Sequence, residues 1–364
     1  MIKEVSTFHS GKYVFSADIR TDLSVLSEAV NVFWRMPVFP DTLFRYKTDA
    51  LEKAIHAEAR LEESSITIDQ VRGIIKHDRS NFSQDTQAIE TINLYMAHML
   101  VNSKSDSALT QELINSLHTE LITGLSKVKD IPGHFRTGGP AADKKWLSAD
   151  YTPPASTLDI NFLIKHLFEW MEKDLQHVNP IIKAALVHLH LKKIQPFCNA
   201  NGHTARLAET LLLKKSGIKI LPYLMPVIYN EGRAEYYKCV SEFYATSDIT
   251  PFVKFLSSRL KDIVEQIRDE NFKVMSEVIS SHYLTKLLNE KTLIKRQYDF
   301  LCTVKDGNLT FSYEDLQLRK PFVKYYGGVS RTTVARDIKK FEELDLIVGT
   351  EKGYVFNHDT LKNQ

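Results

Sequence analysis

The sequence predicts a mainly α protein with a smaller α+β unit at its C-terminal end, and three observations carry that expectation. Apolar residues recur at three- and four-residue steps over most of the chain up to about residue 285, the period of an amphipathic helix. Glycine and proline instead crowd into one internal segment, "KDIPGHFRTGGPAADKKWLSADYTPPASTL", where Gly133, Gly138, Gly139, Pro140, Pro153 and Pro154 forbid a continuous helix. Beyond about residue 286 shorter helical patterns end in "LIVGTEKGYVFN", two short strands around a Lys-Gly turn.

Bulk properties bound the function. A chain of 364 residues has room for two or three domains. With 43% hydrophobic and 25% charged residues it reads as an ordinary globular protein. A net charge of +2 excludes a polyanion partner held by the whole surface, so any basic patch is local. Cys198, Cys239 and Cys302 form no CxxC pair, which suggests neither a disulfide framework nor a zinc site. The start shows no secretory h-region, and no apolar run reaches the roughly 18 residues of a membrane span. A cytoplasmic protein without a membrane partner is expected.

The helical patterns run in order through "LSVLSEAVNVFWRM", "TDALEKAIHAEARLEE", "TQAIETINLYMAHML", "TQELINSLHTELITGL" and "DINFLIKHLFEWMEKDL". After Pro180, "IIKAALVHLHLKKI" is apolar almost all round, as a helix packed inside others would be. "TARLAETLLLKKSGI", "RAEYYKCVSEFYATSD" and "TPFVKFLSSRLKDIVEQIRDENFKVMSEVIS" complete this region. In the Gly/Pro-rich segment, "HFRT" and "KKW" are expected to pair as a β-hairpin flap, because long loops in compact domains are usually functional. Further on, "TLIKRQYDFLCTV" reads as a helix and "LTFSYEDLQ" as a short strand leading into another. "GGVSRTTVARDIKKFEELDLI" is a helix with Ser330 as N-cap and Val329 and Val334 as a hydrophobic staple. Three helices and a hairpin are the order of a winged helix.

One stretch carries chemistry: "IQPFCNANGHTARL", Ile194 to Leu207. Pro196 turns Gln195 away from helical geometry and ends one helix, and a second begins near His203. The free N–H groups and positive dipole of a new helix make an anion site. Gly202 lets the backbone approach a ligand, and Arg206 turns one helical turn back toward it. A phosphate is the natural guest. Read on composition alone, the same stretch is a tight turn between helices with Asn caps.

The stretch resembles the signature of the Fic (Fido) family, His-Pro-Phe-x-Asp/Glu-Gly-Asn-Gly-Arg-x-x-Arg, through Pro196, Phe197, Asn201, Gly202 and Arg206. "AALVHLHLKKI", "PGHFRT", "YTPP" and "EYYKCVSEFYATSDITPFVKFL" resemble other family segments in the family's order. The resemblance implies a Fic-type helical domain with a β-hairpin flap, joined here to an α+β winged-helix domain. Together with the C-terminal pattern, it divides the chain into an N-terminal helical region with an inhibitory helix (1–85), a Fic core (86–262), a linker helix (263–285) and a winged helix-turn-helix domain (286–364). It further implies protein AMP transfer from ATP. The departures oppose transfer. Gln195 stands at the general-base histidine, and a carboxamide has no useful basicity. Asn199 stands at the acidic ligand of Mg2+, for which a neutral amide is a poor substitute. Ala200 and His203 replace a motif Gly and Arg. His188 and His190 read as core residues rather than substitute bases.

Other sites follow from the resemblance. Asn201, Gly202, His203 and Arg206 are expected to bind phosphate, with Tyr236 and Tyr237 on the nucleoside side. Ser65 and Asp69 stand in a Ser-x-x-x-Asp pattern like the family's inhibitory motif, with Asp69 expected near Arg206 or on an ordinary helix surface. His134, Phe135, Arg136 and Thr137 would begin a flap that docks a protein target as an added strand. In the C-terminal region Val334, Ile338 and Phe341 face inward, so Arg331, Thr332, Ala335, Arg336 and Lys339 are left for a DNA major groove, with Arg319, Lys320, Lys324, Lys340 and Lys352 adding charge nearby. The expected function is a Fic-family protein that binds a nucleotide or phosphate with lost or weak adenylyl transfer, coupled to double-stranded DNA, and homo-oligomeric. An active protein adenylyltransferase is the alternative.

Overall fold

The computed structural model describes residues 15, 17–35, 40–82, 85–125, 131–138, 151–218 and 220–358. The chain forms two compact units, Met1–Val264 and Glu265–Gln364. The first unit therefore includes the expected N-terminal region, and the division falls within the expected linker helix.

In the first unit α1 (Arg20–Arg35), α2 (Pro40–Leu61), α3 (Ile68–Ile74), α4 (Thr86–Ser103), α5 (Gln111–Ile122) and α6 (Thr157–Lys173) precede α7 (Pro180–Ile194) and α8 (Asn201–Lys215). α9 (Leu221–Glu231), α10 (Arg233–Thr246) and the first part of α11 (Thr250–Asn289) follow. Starts are set by side-chain caps: Asp85, Thr110, Ser156 and Asn179 each accept a backbone N–H of the first turn, and Pro180 takes the first position of α7. Every residue from Ala184 to Ile194 is buried, as the all-round apolar pattern requires. α7 packs against α6, α8 and α10, while α8 also meets α4, α5 and α9. The junction of α7 and α8 is thereby held at the centre of this unit.

α7 stops because Gln195 takes left-handed angles, φ 48° and ψ 65°, ahead of Pro196. Its last carbonyls, which have no helical partners, are met by side chains. Tyr244 Oη donates to Lys192 O (2.9 Å), Tyr151 Oη to Lys193 O (2.6 Å) and Arg136 Nε to Gln195 O (2.7 Å). The Arg136 amide donates to Pro196 O (2.9 Å). Arg136 is thus a buried clamp on the helix end, and Phe135 packs edge-on against Phe197 (5.4 Å). These two residues are part of the core, and the rest of the expected flap, residues 139–150, lies outside the described residues. His134 and Thr137 are exposed, and residues 134–137 are in no strand. The proposed partner "KKW" lies outside the described residues.

In the second unit α12 (Lys295–Asp306), α13 (Asp315–Leu318), α14 (Val323–Tyr326) and α15 (Arg331–Glu343) precede the antiparallel hairpin of β1 (Ile347–Thr350) and β2 (Gly353–Phe356). The strand expected in "LTFSYEDLQ" is reduced to a single bridge, Phe311 with Tyr354. Gly353 (φ 123°) is required there, because a Cβ would collide with the Phe311 carbonyl. Phe300 centres the core, with the rings of Phe311, Tyr326, Phe322 and Phe341 at 5.0 to 6.0 Å. Buried Asp337 accepts from Arg296 Nη2 (2.8 Å), Gln297 Nε2 (2.8 Å) and Tyr326 Oη (3.1 Å), fixing α15 to α12 and α14. No described helix is long and apolar enough to cross a membrane.

Candidate functional site: an anion cradle closed by its own carboxylates

After Phe197 the chain makes a tight loop that Asn201 closes on itself. Asn201 Oδ1 accepts from Phe197 N (2.9 Å), and its Nδ2 donates to Phe197 O (2.8 Å). Ala200 adopts φ 55°, a left-handed angle that costs a non-glycine residue about 1 kcal/mol. No side chain caps α8, so its first amides open onto the loop as an anion cradle. The Asn201 side chain, expected to reach a phosphate, serves instead to shape this loop.

Arg206 lies one turn into α8 and is 1% exposed. Its Nε donates to Glu58 Oε2 (2.6 Å) and its Nη2 to Glu62 Oε1 (2.8 Å). Nη1 has no hydrogen-bond partner among the described residues. Glu58 Oε2 also receives His203 Nδ1 (2.8 Å), which must carry the proton toward an ionised acceptor. Burial alone would raise both glutamates, but the Arg206 guanidinium overrides it and takes each to about 2. The same two carboxylates hold the Arg206 guanidinium firmly protonated against its desolvation. A Cβ on Gly202 would overlap Glu62 Oε1 and come within 3.1 Å of Arg206 Nη1. Glu62 therefore lies directly against Gly202 at the start of α8.

Sequence reasoning missed both carboxylates. Of the two places expected for Asp69, near Arg206 or on an ordinary helix surface, it takes the second: it is exposed and pairs with Arg72 Nη1 (3.2 Å), and Ser65 is exposed as well. The reason is local: Thr67 and Gln70 form a capping box at the start of α3, and Asp69 adds negative charge to that first turn. The sequence did carry a sign that Glu58 is buried, though not of what it meets. Glu58 interrupts an apolar stripe of Ala50, Ala54 and Leu61 on α2, and a buried acid there demands a cation.

Both tyrosines are buried near Arg206. Tyr236 is fully buried, stacks on Tyr229 (4.6 Å) and meets His188 Nε2 (3.0 Å). His188 Nδ1 reaches Glu209 (2.9 Å), completing a core network whose burial holds the imidazole below its usual range. Tyr237 Oη donates to Leu61 O (3.0 Å), holding the end of α2. Neither ring faces the cavity of about 440 Å³ beside the cradle. That cavity is lined by Leu94, Leu121 and Ile122 on its apolar side and by Glu62, Glu63 and Glu90 on its acidic side. Cys198, Asn199, Gly202 and His203 are among its other lining residues. Gln195 is 4% exposed, and its Oε1 has no hydrogen-bond partner among the described residues.

On the second unit Arg331, Thr332, Arg336 and Lys339 are all exposed on α15, with Ser330 capping it as expected. Lys340 does not join that face, since its ammonium donates to Thr292 O.

Fold and site together define a helical protein with an arginine-backed anion cradle at the N-terminus of a central helix. Residues 108–213 match the sequence model of the Fic/DOC family. Among characterised relatives, the protein adenylyltransferase Fic of Drosophila willistoni is 25% identical over 222 residues, covering 59% of this chain and 41% of that protein. The one from Drosophila mojavensis is 24% identical over 242 residues, covering 65% and 45%. The chain thus spans less than half the length of these relatives. Its fold is similar to a Fic family protein from Desulfovibrio desulfuricans G20, with TM-score 0.57, 19% identity and coverage of 94% and 98%. Fic-1 from C. elegans aligns with TM-score 0.55, 21% identity and coverage of 68% and 71%.

Proposed function

We propose that this protein is a regulator whose Fic pocket is closed and does not transfer AMP, coupled to a C-terminal winged helix that reads double-stranded DNA. One observation carries the reading: the cradle is intact, yet Glu62 fills it and the position of the family's base holds Gln195, buried and unprotonatable. A magnesium triphosphate does not fit the pocket in this state. The cavity wall carries three glutamates, and Asn199 offers a neutral amide where a carboxylate ligand would be needed. No transfer step follows from such a site. Glu62, four residues after Glu58, takes the role the resemblance assigned to Asp69. Exposed Arg331, Thr332, Arg336 and Lys339 support the DNA reading, because short polar and basic side chains on one helix face suit a major groove. An oligomer is consistent with the paired half-sites such modules use.

The test has two arms. With α-labelled ATP and Mg2+, the protein is expected to leave no label on itself or on lysate proteins. Genomic fragments are expected to shift in a gel, and Arg331→Ala with Arg336→Ala to abolish the shift. Labelling that vanishes in Arg206→Ala would instead establish the adenylyltransferase alternative.

A further inference from the structure

We propose that Glu58 is a second lock on Arg206, built into the core, so that displacing Glu62 alone leaves the cradle unable to accept a nucleoside triphosphate. The inference rests on the nucleotide reading of this pocket.

The two carboxylates hold different nitrogens of one guanidinium, Glu58 at Nε and Glu62 at Nη2. Their settings differ. Glu58 has 0% side-chain exposure and lies inside α2, whereas Glu62 has 28% and follows the last helical residue. Glu63 then leaves with φ 68°, so Glu62 swings out by a local change at the helix end. Moving Glu58 requires unpacking α2. Glu58 is also fastened twice, since Oε2 receives both Arg206 Nε and His203 Nδ1.

Charge decides what enters once Glu62 swings out. Arg206 remains neutralised by Glu58, leaving the α8 amides, worth about half a positive charge, as the attraction. Glu63 and Glu90 face the same cavity and repel a polyanion. A singly charged anion is matched to that remainder, and a triphosphate is not. Removing Glu58 as well returns a full guanidinium charge to the site.

Isothermal titration with ATP tests this on the full chain as wild type, Glu62→Gly, Glu58→Ser and the double variant. ATP is expected to bind the double variant at least about tenfold more tightly than any of the other three. Glu58→Gln with Glu62→Gly repeats the comparison with a shape closer to the original, in case the serine variant does not fold. Measurable ATP binding of equal affinity in Glu62→Gly and the double variant would overturn the second lock. A second readout does not depend on nucleotide: a Glu58→Gln and Arg206→Gln cycle followed by urea unfolding is expected to show coupling, and additive losses overturn the proposal. Coupling in that cycle with inorganic phosphate, but not ATP, bound by Glu62→Gly and by the double variant upholds the lock and overturns the nucleotide reading.

Discussion

Arg206 and Glu58 face one another at 2.6 Å with neither side chain reaching solvent. A buried pair of this kind costs much desolvation, so its presence argues for specificity more than for stability, while removal of one partner leaves an uncompensated charge. It also fixes a pH response. Glu58 and Glu62 titrate at about 2 in the folded chain against an ordinary 4.5. A lowered folded value contributes stability above the unfolded value, lost as pH falls from 4.5 toward 2. The urea midpoint of the wild type is therefore expected to fall more steeply from pH 5 to about pH 2.5 than that of Glu58→Gln with Arg206→Gln. Parallel curves would show that this cluster is not the source. At this scale Gly202 and Arg206 were legible because a helix start after a proline break states its own chemistry. Glu58 and Glu62 were not, because their partner lies more than 140 residues away. A pattern of spacing along the chain carries no long-range pairing, and Ser65 with Asp69 offered a nearer imitation of the inhibitory motif.

Among the elements, α7 is the one whose end decides the site. Its apolar surface and the Pro196 break were readable, and so were helix starts with Ser, Thr, Asp or Asn caps. What holds the broken end was not, because Arg136 looked like part of a polar loop. Its side chain donates to Gln195 O and Gly138 O (2.8 Å), joining the α7 end to the Gly-rich segment. Burial lowers the guanidinium's pKa from its ordinary value, and its backbone contacts offset that cost. Arg136→Ala is expected to lose roughly 3 kcal/mol or more, since charged hydrogen bonds go and buried carbonyls are left open. Arg136→Lys keeps the charge without the planar fork and is expected to recover only a minor part. Urea unfolding followed by tryptophan fluorescence measures both. A loss under about 1 kcal/mol in Arg136→Ala would mean water replaces the clamp.

On the scale of the whole chain, α11 contributes to two separate cores. Phe252, Val253, Phe255, Leu256 and Leu260 are buried in the first unit, and Leu284 and Leu287 in the second with Phe300 and Phe341. The sequence offered a linker helix over 263–285 between the two regions, and the division at 264/265 falls near its start, because periodicity cannot tell which core an unbroken helix serves along its length. Each core is large enough to melt cooperatively by itself. Calorimetry is therefore expected to resolve two transitions. Asp337 lies only in the second unit, 1% exposed, and its loss strips Arg296, Gln297 and Tyr326 of a shared acceptor. Asp337→Ala is expected to cost that unit roughly 3 kcal/mol. For a unit of this size the melting temperature falls on the order of 10–20 °C, and the other transition stays in place. On the DNA reading proposed above, the gel shift is expected to weaken with it, because α15 loses its anchor to α12 and α14, whereas ATP titration of the Glu58→Ser and Glu62→Gly variant is expected to be unchanged. A shift of both transitions together would mean that α11 transmits unfolding from one core to the other, and the two functions would then share one stability.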